Sequence, residues 1–249
     1  MNRISTEALR IIVTGGARGI GAAVARLLAA EGAHVLITDV LDEEGEQLAA
    51  ELGPNARYRS LDVTQPQDWE AAVASAEADF GTVNALFNNA GILSFGGVQE
   101  CGPDEFRRMI DVNLIGVFLG IHAVAPALRR AGGGVIVNTS STAGLQGYAG
   151  LAAYVSSKWG VRGLTKAAAL DLAADKIRVV SLHPGPIRTP MTDALSDEVA
   201  AAQPIARFGE ADEVARMVRF LLTEATYSTG SEFVIDGGAV TGQTLPLPS

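Results

Sequence analysis

Cysteine is almost absent from this chain of 249 residues, in which Cys101 is the only one. A lone cysteine excludes an internal disulfide framework and a structural zinc site built from several thiolates. The three histidines do not cluster: His34 lies in a predicted strand, His122 in a predicted helix and His183 beside Pro184, where core or lid packing accounts for them. We therefore expect no metal site and a reducing compartment, the cytoplasm.

Basic residues and long apolar runs are also scarce. Lys and Arg number 19 against 28 Asp and Glu, and the net charge of −9 repels phosphate backbones, so no nucleic-acid partner is expected. The most apolar stretch, Leu114 to Leu128, falls short of the roughly 18–20 apolar residues that span a bilayer and is predicted to be a buried helix. The first ten residues lack the apolar core of a signal peptide, so we expect neither export nor a membrane partner.

What the chain does contain is ample apolar material, 48% of its residues, arranged with two alternating periodicities. Seven short β-rich runs alternate with helical segments. They cover residues 11–13, 34–38, 56–61, 83–87, 134–139, 178–182 and 232–235. Continuous apolar strands separated by helices predict an α/β fold, a Rossmann-type doubly wound parallel seven-stranded sheet with helices on both faces. No linker divides residues 1–249, so a single domain is expected.

Proline and threonine suggest where some helices begin. Thr64 and Pro66 predict a capped helix that runs to Phe80, and Pro103 predicts a long helix that runs toward Arg130. The segment from Pro184 to Gly209 is weakly periodic and longer than most connections. It is predicted to be a substrate lid, with a partly ordered loop as the alternative.

A glycine-rich turn follows the first predicted strand. Gly15, Gly19 and Gly21 let the backbone turn sharply and approach a diphosphate at the start of a helix. Asp39 ends the second strand, about 20 residues further on, where a carboxylate accepts hydrogen bonds from ribose hydroxyls and repels a 2′-phosphate. Arg18 could instead pair with such a phosphate, and Asp39 could merely cap the next turn. The pattern favours NAD over NADP.

A second group consists of Ser141, Tyr154 and Lys158. Tyr154 and Lys158 are four residues apart in a predicted helix, so their side chains project from one face, although this spacing alone is typical of a solvated helix. A nearby ammonium is expected to lower the pKa of the phenol from about 10 to about 7, which makes it a proton donor or acceptor. Ser141, rather than its neighbour Ser140, is predicted to bind the substrate oxygen.

Taken together, these motifs closely resemble the short-chain dehydrogenase/reductase family, over nearly the whole chain. The matching segments are Thr14 to Gly21, Asn88-Asn89-Ala90-Gly91, Asn113, Ser141, Tyr154 to Lys158, Pro184-Gly185 and Asp236-Gly237-Gly238. Several stretches in the scaffold and cofactor half look most like bacterial 3α- or 20β-hydroxysteroid dehydrogenases. Residues 145–151 and 192–203, where substrate is expected to bind, match no pattern.

The resemblance implies four catalytic residues, Asn113, Ser141, Tyr154 and Lys158. In the family the asparagine holds a water that links the lysine to solvent; a satisfied buried amide is the alternative for Asn113. The resemblance also implies contacts of Asp62 and Val63 with adenine and of Ile187 with the nicotinamide ring. The implied cofactor-binding residues are Gly15, Arg18, Gly19, Ile20, Gly21, Asp39, Asp62, Val63, Asn89, Ala90, Gly91, Tyr154, Lys158, Pro184, Gly185, Ile187 and Thr189.

The expected function is NAD-dependent interconversion of an apolar secondary alcohol and its ketone, with hydroxysteroids as the candidate substrates. A 3-oxoacyl carrier-protein reductase is an alternative that would use NADPH and carry a basic residue in place of Asp39. A non-catalytic dinucleotide sensor is a second alternative, but such proteins typically lose the tyrosine or the lysine. The family resemblance implies a homotetramer.

Overall fold

The computed structural model of the protein describes residues 4–201 and 203–242. Its strands are β1 (Arg10–Thr14), β2 (His34–Asp39), β3 (Ala56–Ser60), β4 (Ala85–Asn88), β5 (Gly134–Thr139), β6 (Ile177–Pro184), β7 (Ile187–Arg188), β8 (Gly209–Glu210) and β9 (Glu232–Ile235). Its α-helices are α1 (Gly19–Ala30), α2 (Asp42–Leu52), α3 (Pro66–Phe80), α4 (Pro103–Ile110), α5 (Gly116–Arg130), α6 (Ala152–Asp171), α7 (Asp197–Ala201) and α8 (Ala211–Thr223).

Seven strands form one parallel sheet in the order β3-β2-β1-β4-β5-β6-β9. The chain first builds outward from β1 to β3, then crosses to the other side of β1 and continues from β4. The predicted Rossmann-type fold is confirmed. The reversal between β1 and β4 opens a crevice at the carboxyl ends of the strands, which is where open α/β sheets bind ligands.

Both faces of the sheet are covered by helices. In β1, Ile11 and Val13 face the layer that contains α1 and α8, while Ile12 faces the layer that contains α3, α5 and α6. All three side chains are fully buried, because a strand alternates its side chains between two faces that are both apolar. A rigid two-layer core therefore supports the carboxyl edge of the sheet.

Helix α3 has the predicted bounds, but the expected cap does not form. Gln65, not Thr64, precedes the helix, and neither side chain caps it. The Thr64 hydroxyl instead donates to Asp62 Oδ1 at 2.8 Å, because the Asp62 side chain turns the chain back just before the helix. The Thr64 side chain is therefore engaged with Asp62 and does not cap the helix.

The predicted long helix is continuous from Pro103 to Arg130 but contains a π-helical turn at Asp111–Ile115. At 28 residues it is, by length and composition, long enough to cross a membrane, contrary to the expectation from its most apolar stretch. Core helices meet the same criterion, and this one buries Val117, Ile121 and Val124 in the layer shared with α3 and α6.

The segment predicted to be a lid contains more regular structure than its weak periodicity indicated. Strand β7 pairs in parallel with β8, and α7 lies between them. Gly185 donates to the Ile235 carbonyl at 3.0 Å, which ties the start of the segment to β9. The segment thus leaves the carboxyl end of β6 and returns to the rim of the same crevice.

Candidate active site

A cavity of about 960 Å³ occupies the crevice at the carboxyl ends of the central strands. Its wall includes every residue implied above for catalysis or cofactor binding except Gly21 and Asn113. The volume lies at the upper end of the range for ligand sites, roughly 300–1,000 Å³, so a large ligand fits. Residues far apart in sequence therefore meet around one space.

The glycine-rich turn is shaped by two steric requirements. Gly15 has φ 59°, and a Cβ there would lie 2.8 Å from the Ala90 Cα. A Cβ on Gly21 would collide with the Gly15 carbonyl. Gly21 therefore lets helix α1 pack against the turn, and it does not itself face the cavity. The turn places the amino end of α1 at the cavity, where free N–H groups favour an anionic ligand.

Asn89 holds this turn from the neighbouring strand. Its Nδ2 donates to the carbonyls of Thr14 and Gly15, both at 3.1 Å. The Thr14 hydroxyl in turn accepts from the backbone N–H groups of Asn89 and Ala90, each at 3.0 Å. The side-chain amide of Asn89 is thus occupied in joining the end of β1 to the end of β4. The surface that Asn89 contributes to the cavity is therefore largely backbone.

The Asp39 carboxylate has two roles in the structure. Oδ1 accepts from the Val40 and Leu41 N–H groups at 2.8 and 3.3 Å, so Asp39 does cap the next turn. Oδ2 accepts from Ala17 N at 3.1 Å, which binds the carboxylate to the glycine-rich turn. The Tyr58 hydroxyl donates to the main-chain carbonyl oxygen of Asp39 at 2.8 Å. These contacts fix a negative charge at the wall of the cavity.

Tyr154 and Lys158 project from the same face of α6. The Lys158 Nζ lies 5.6 Å from the centroid of the Tyr154 ring and donates to the Thr139 carbonyl at 3.0 Å. Ser141 begins the short 3₁₀ turn Thr142–Gly144, and its Oγ accepts from Ala143 N at 3.1 Å. Because that bond uses a lone pair of the Ser141 hydroxyl, the hydroxyl proton stays available for donation to a group in the cavity.

The pKa values differ from the sequence-based expectation. Burial raises the pKa of Tyr154, and the hydrogen bond with Ser141 only partly opposes this effect, so the expected lowering is wrong. Burial also lowers the pKa of Lys158 to about 8. Both shifts have the same main cause, because burial penalises the charged form of each side chain.

Asn113 is fully buried in the π-helical turn and does not border the cavity. Its Oδ1 accepts from Ile92 N at 2.8 Å, and its Nδ2 donates to the Ile92 carbonyl at 2.9 Å and to Ser157 Oγ at 3.2 Å. The side chain is therefore a satisfied buried amide that joins three segments. The water-holding role implied by the family would have to use its backbone.

The cofactor-side wall also fits a polar ligand at one unpredicted position. Thr139 borders the cavity beside Lys158, and within the described residues its hydroxyl is buried without a hydrogen-bond partner. Asp62, by contrast, is already engaged by the N–H and hydroxyl of Thr64. No group of three or more His, Cys, Asp and Glu side chains in residues 4–201 and 203–242 could hold a metal ion.

Sequence reasoning missed the apolar half of the wall. It is formed by side chains from two loops and from the segment 184–209, which includes α7: Leu93, Phe95, Leu151, Met191, Leu195 and Val199. Tyr148 stands among them, with its hydroxyl 2.7 Å from Gln146 Nε2 and 3.1 Å from Thr142 Oγ1. These residues follow no shared periodic pattern in the sequence, so only their convergence in three dimensions identifies them.

Comparison with known proteins gives the family. The model of the short chain dehydrogenase family matches residues 10–200, well over half of the chain. This chain belongs to the short-chain dehydrogenase family. The fold and the spacing of the glycine-rich turn, Tyr154 and Lys158 agree with that membership, and so the resemblance drawn from the motifs is confirmed.

Proteins of similar sequence are named as dehydrogenases. A 3-alpha-(or 20-beta)-hydroxysteroid dehydrogenase of Mycobacterium tuberculosis is 49% identical over 232 residues, 93% of this chain and 89% of that protein. A trans-4-hydroxycyclohexanecarboxylate dehydrogenase of Sinomonas cyclohexanicum is 42% identical, with 98% of each chain covered. A cyclohexanol dehydrogenase of an Acinetobacter strain is 43% identical, covering 91% of this chain and 92% of that protein.

These findings define the class of chemistry. The chain is an oxidoreductase that acts on CH–OH groups, and its family uses nicotinamide cofactors, NAD or NADP.

Proposed function

We propose that this short-chain dehydrogenase uses NAD to interconvert a secondary alcohol on an apolar, ring-containing molecule, such as a hydroxysteroid, and the corresponding ketone. One observation carries the proposal: Ser141, Tyr154 and Lys158 border the same cavity as the glycine-rich turn. A substrate oxygen held by Ser141 and a cofactor held by that turn can therefore meet in one cavity.

The preference for NAD rests on Asp39. Its carboxylate is fixed at the cavity wall by Ala17 N and by the turn that follows β2. A 2′-phosphate placed there would meet the negative charge of the hydrogen-bonded carboxylate, which costs affinity. Arg18 also borders the cavity but is exposed, so its attraction for a phosphate is weakened by solvent.

The protein supplies a proton path for this reaction. A bound nicotinamide ring would supply or accept the hydride at the substrate carbon. Tyr154 stays protonated because burial raises its pKa, so it suits proton donation to the oxygen of a ketone. Lys158, with a pKa of about 8, is the nearby group that can exchange its proton near neutral pH. Asn113 would assist through its backbone in the π-helical turn, a feature often found at functional sites.

The apolar wall selects the substrate. Leu93 and Phe95 face the cavity from one loop, and Met191, Leu195 and Val199 face it from the segment 184–209. We propose that this segment closes over an apolar ring as a substrate lid on a chain that folds as one domain. The similar dehydrogenases are named for hydroxysteroids and for cyclohexane derivatives, which agrees with an apolar, ring-containing substrate.

The proposed assembly and location rest on the apolar surface and on the composition. Phe106, Ile115, Phe118 and Trp159 expose apolar surface on the helices from α4 to α6, as expected for faces that pack against other subunits. We propose a homotetramer in the cytoplasm. The net charge of −9 argues against nucleic acid as a partner, and the packing of the 28-residue helix in the core argues against a membrane.

The decisive experiment follows NADH consumption by the purified protein with a panel of cyclic ketones and ketosteroids, with NADPH in parallel. We expect turnover with NADH and little with NADPH. Replacement of Tyr154 by Phe should lower kcat by about 100- to 10,000-fold, the usual contribution of a general acid or base, while NADH affinity stays within a few-fold.

The matched control is Tyr227→Phe, the same chemical change at a fully exposed tyrosine outside the cavity, which should leave kcat unchanged. Undiminished turnover in Tyr154→Phe would refute the proposed role of the phenol. A clear preference for NADPH would instead contradict the role of Asp39 and favour a reductase of the 3-oxoacyl carrier-protein type. Tight NADH binding without turnover of any ketone would favour a sensor.

A further inference from the structure

His183 lies next to Ser141 but outside the cavity wall. It is fully buried near the end of β6, and its ring contacts two groups. Nδ1 lies 3.0 Å from the Ser141 carbonyl oxygen, and Nε2 lies 2.9 Å from Ser181 Oγ on the same face of β6. The ring therefore bridges the sheet and the turn that carries Ser141.

The chemistry of the two partners fixes the proton on the ring. A carbonyl oxygen can only accept, so Nδ1 must carry the hydrogen that bonds Ser141. In the neutral ring Nε2 is then an acceptor, and the Ser181 hydroxyl donates to it. Burial lowers the pKa of His183 and so favours this neutral form, with the Ser141 carbonyl and Glu232 acting in the opposite direction.

The Ser141 carbonyl has two anchors of different kinds. Gly144 N donates to it at 2.9 Å from within the 3₁₀ turn, and His183 donates to it from β6. The first bond moves with the turn, whereas the second ties the turn to the rigid sheet. On the far side, Arg162 Nη1 donates to the Gly144 carbonyl at 3.3 Å while its Nε pairs with Glu232 at 2.7 Å.

We propose that His183 is a positioning residue for Ser141: its Nδ1–H holds the Ser141 carbonyl, and so sets the direction in which the Ser141 hydroxyl meets the substrate oxygen. The inference rests on the proposed function of Ser141. It assigns His183 no contact with substrate or cofactor. Loss of the bond would let the hydroxyl shift, and displacements of about 1 Å in such sites cost up to about 100-fold in rate.

Two amide variants separate this bond from general packing. In His183→Asn the side-chain amide stands where Nδ1 stood and can donate to the Ser141 carbonyl. In His183→Gln the amide reaches the position of Nε2 and can bond only Ser181. His183→Leu removes both bonds, and Ser181→Ala removes only the bond between Ser181 and Nε2. His34→Leu is the matched control, because His34 lies at the amino end of β2 whereas His183 lies near the carboxyl end of β6.

We would measure kcat and KM for ketone reduction, NADH affinity by fluorescence and the thermal midpoint. We expect His183→Leu and His183→Gln to lower kcat by about 10- to 100-fold, with NADH affinity within about twofold of the wild type. His183→Asn should recover most of kcat. Ser181→Ala and His34→Leu should stay within about threefold of the wild type, because neither removes the bond to Ser141.

Equal kcat values for the Asn and Gln variants would overturn the proposal, as would an unchanged kcat in His183→Leu. If the Leu variant does not fold, the Asn and Gln pair decides alone, and misfolding of all three would make His183 a determinant of the fold instead. Ser141→Ala separates the two levels of inference. If that variant keeps wild-type turnover, the proposed role of Ser141 fails; if it is inactive while His183→Leu is not, only the positioning role fails.

Discussion

At the scale of single residues, burial acts on the two titratable groups of the site in opposite directions. It raises the pKa of Tyr154 and lowers that of Lys158, and in each case it favours the neutral form. The phenol therefore starts as a proton donor, which suits ketone reduction. Alcohol oxidation requires the phenol to give up its proton first, which a raised pKa makes harder.

The buried ammonium has a cost in stability that can be measured. The pKa of Lys158 falls from 10.5 to about 8 on folding, so the native state binds the proton less tightly than the unfolded chain does. By linkage, this destabilises the fold below pH 8, and the effect disappears as the pH rises from 8 to 10.5. Lys158→Met should abolish turnover, because it removes the group proposed to exchange the proton. The same change should raise the free energy of unfolding at pH 7 by about 1–3 kcal/mol, because it removes the buried charge.

Urea denaturation at pH 7 and at pH 10.5 checks this expectation, because the advantage of Lys158→Met over the wild type should shrink at the higher pH. Lys176→Met, at an exposed lysine, provides the control and should show no such change. A gain in stability that is the same at both pH values would mean that packing, rather than the buried charge, is responsible.

At the scale of elements, the carboxyl end of α8 depends on a charge from the sheet. Arg178, on β6, is almost fully buried, and its Nη2 donates to the Leu221 and Leu222 carbonyls at 2.7 and 3.2 Å. These carbonyls lie in the last turn of the helix, where they lack helical partners and where a cation is favoured by the helix dipole. The guanidinium thereby fastens α8 to the sheet.

Arg178→Met should lower the free energy of unfolding by about 2–3 kcal/mol, since it leaves buried carbonyls without their charged donor. The midpoint of urea unfolding measures the loss. Arg57→Met is the matched control, because Arg57 is exposed and bonds only nearby carbonyls, and it should cost less than about 0.5 kcal/mol. Equal losses in both variants would show that the bonds to α8 contribute little.

At the scale of the whole molecule, the outer faces of the central helices have apolar surface without cover in the described chain. Phe118 is 47% exposed and stacks on His122 with ring centroids 5.9 Å apart, and Trp159 is 45% exposed with Arg162 over its ring. Side chains of this size on adjoining helices form a patch that a second subunit could bury.

Sedimentation should therefore give the wild type a mass near four times the 25.8 kDa of one chain. Phe118→Glu should shift the mass toward smaller species, because a buried carboxylate at a subunit contact is unfavourable. Phe118→Leu keeps the surface apolar and should remain assembled. A wild type that sediments as a monomer would contradict the proposed assembly.

The sequence by itself determined the fold class and the seven strands of the sheet, and it identified the side chains that are proposed for the reaction. Periodicity located the seven strands of the sheet because a parallel sheet needs continuous apolar strands. The glycine at position 15 and the spacing of Tyr154 and Lys158 are local features, so they can be recognised within a short stretch of sequence. Only the tertiary structure decided the pKa direction of Tyr154, the occupied amide of Asn113, the apolar wall and the bond from His183 to Ser141. Each depends on burial or on contact between distant segments, which no local pattern encodes.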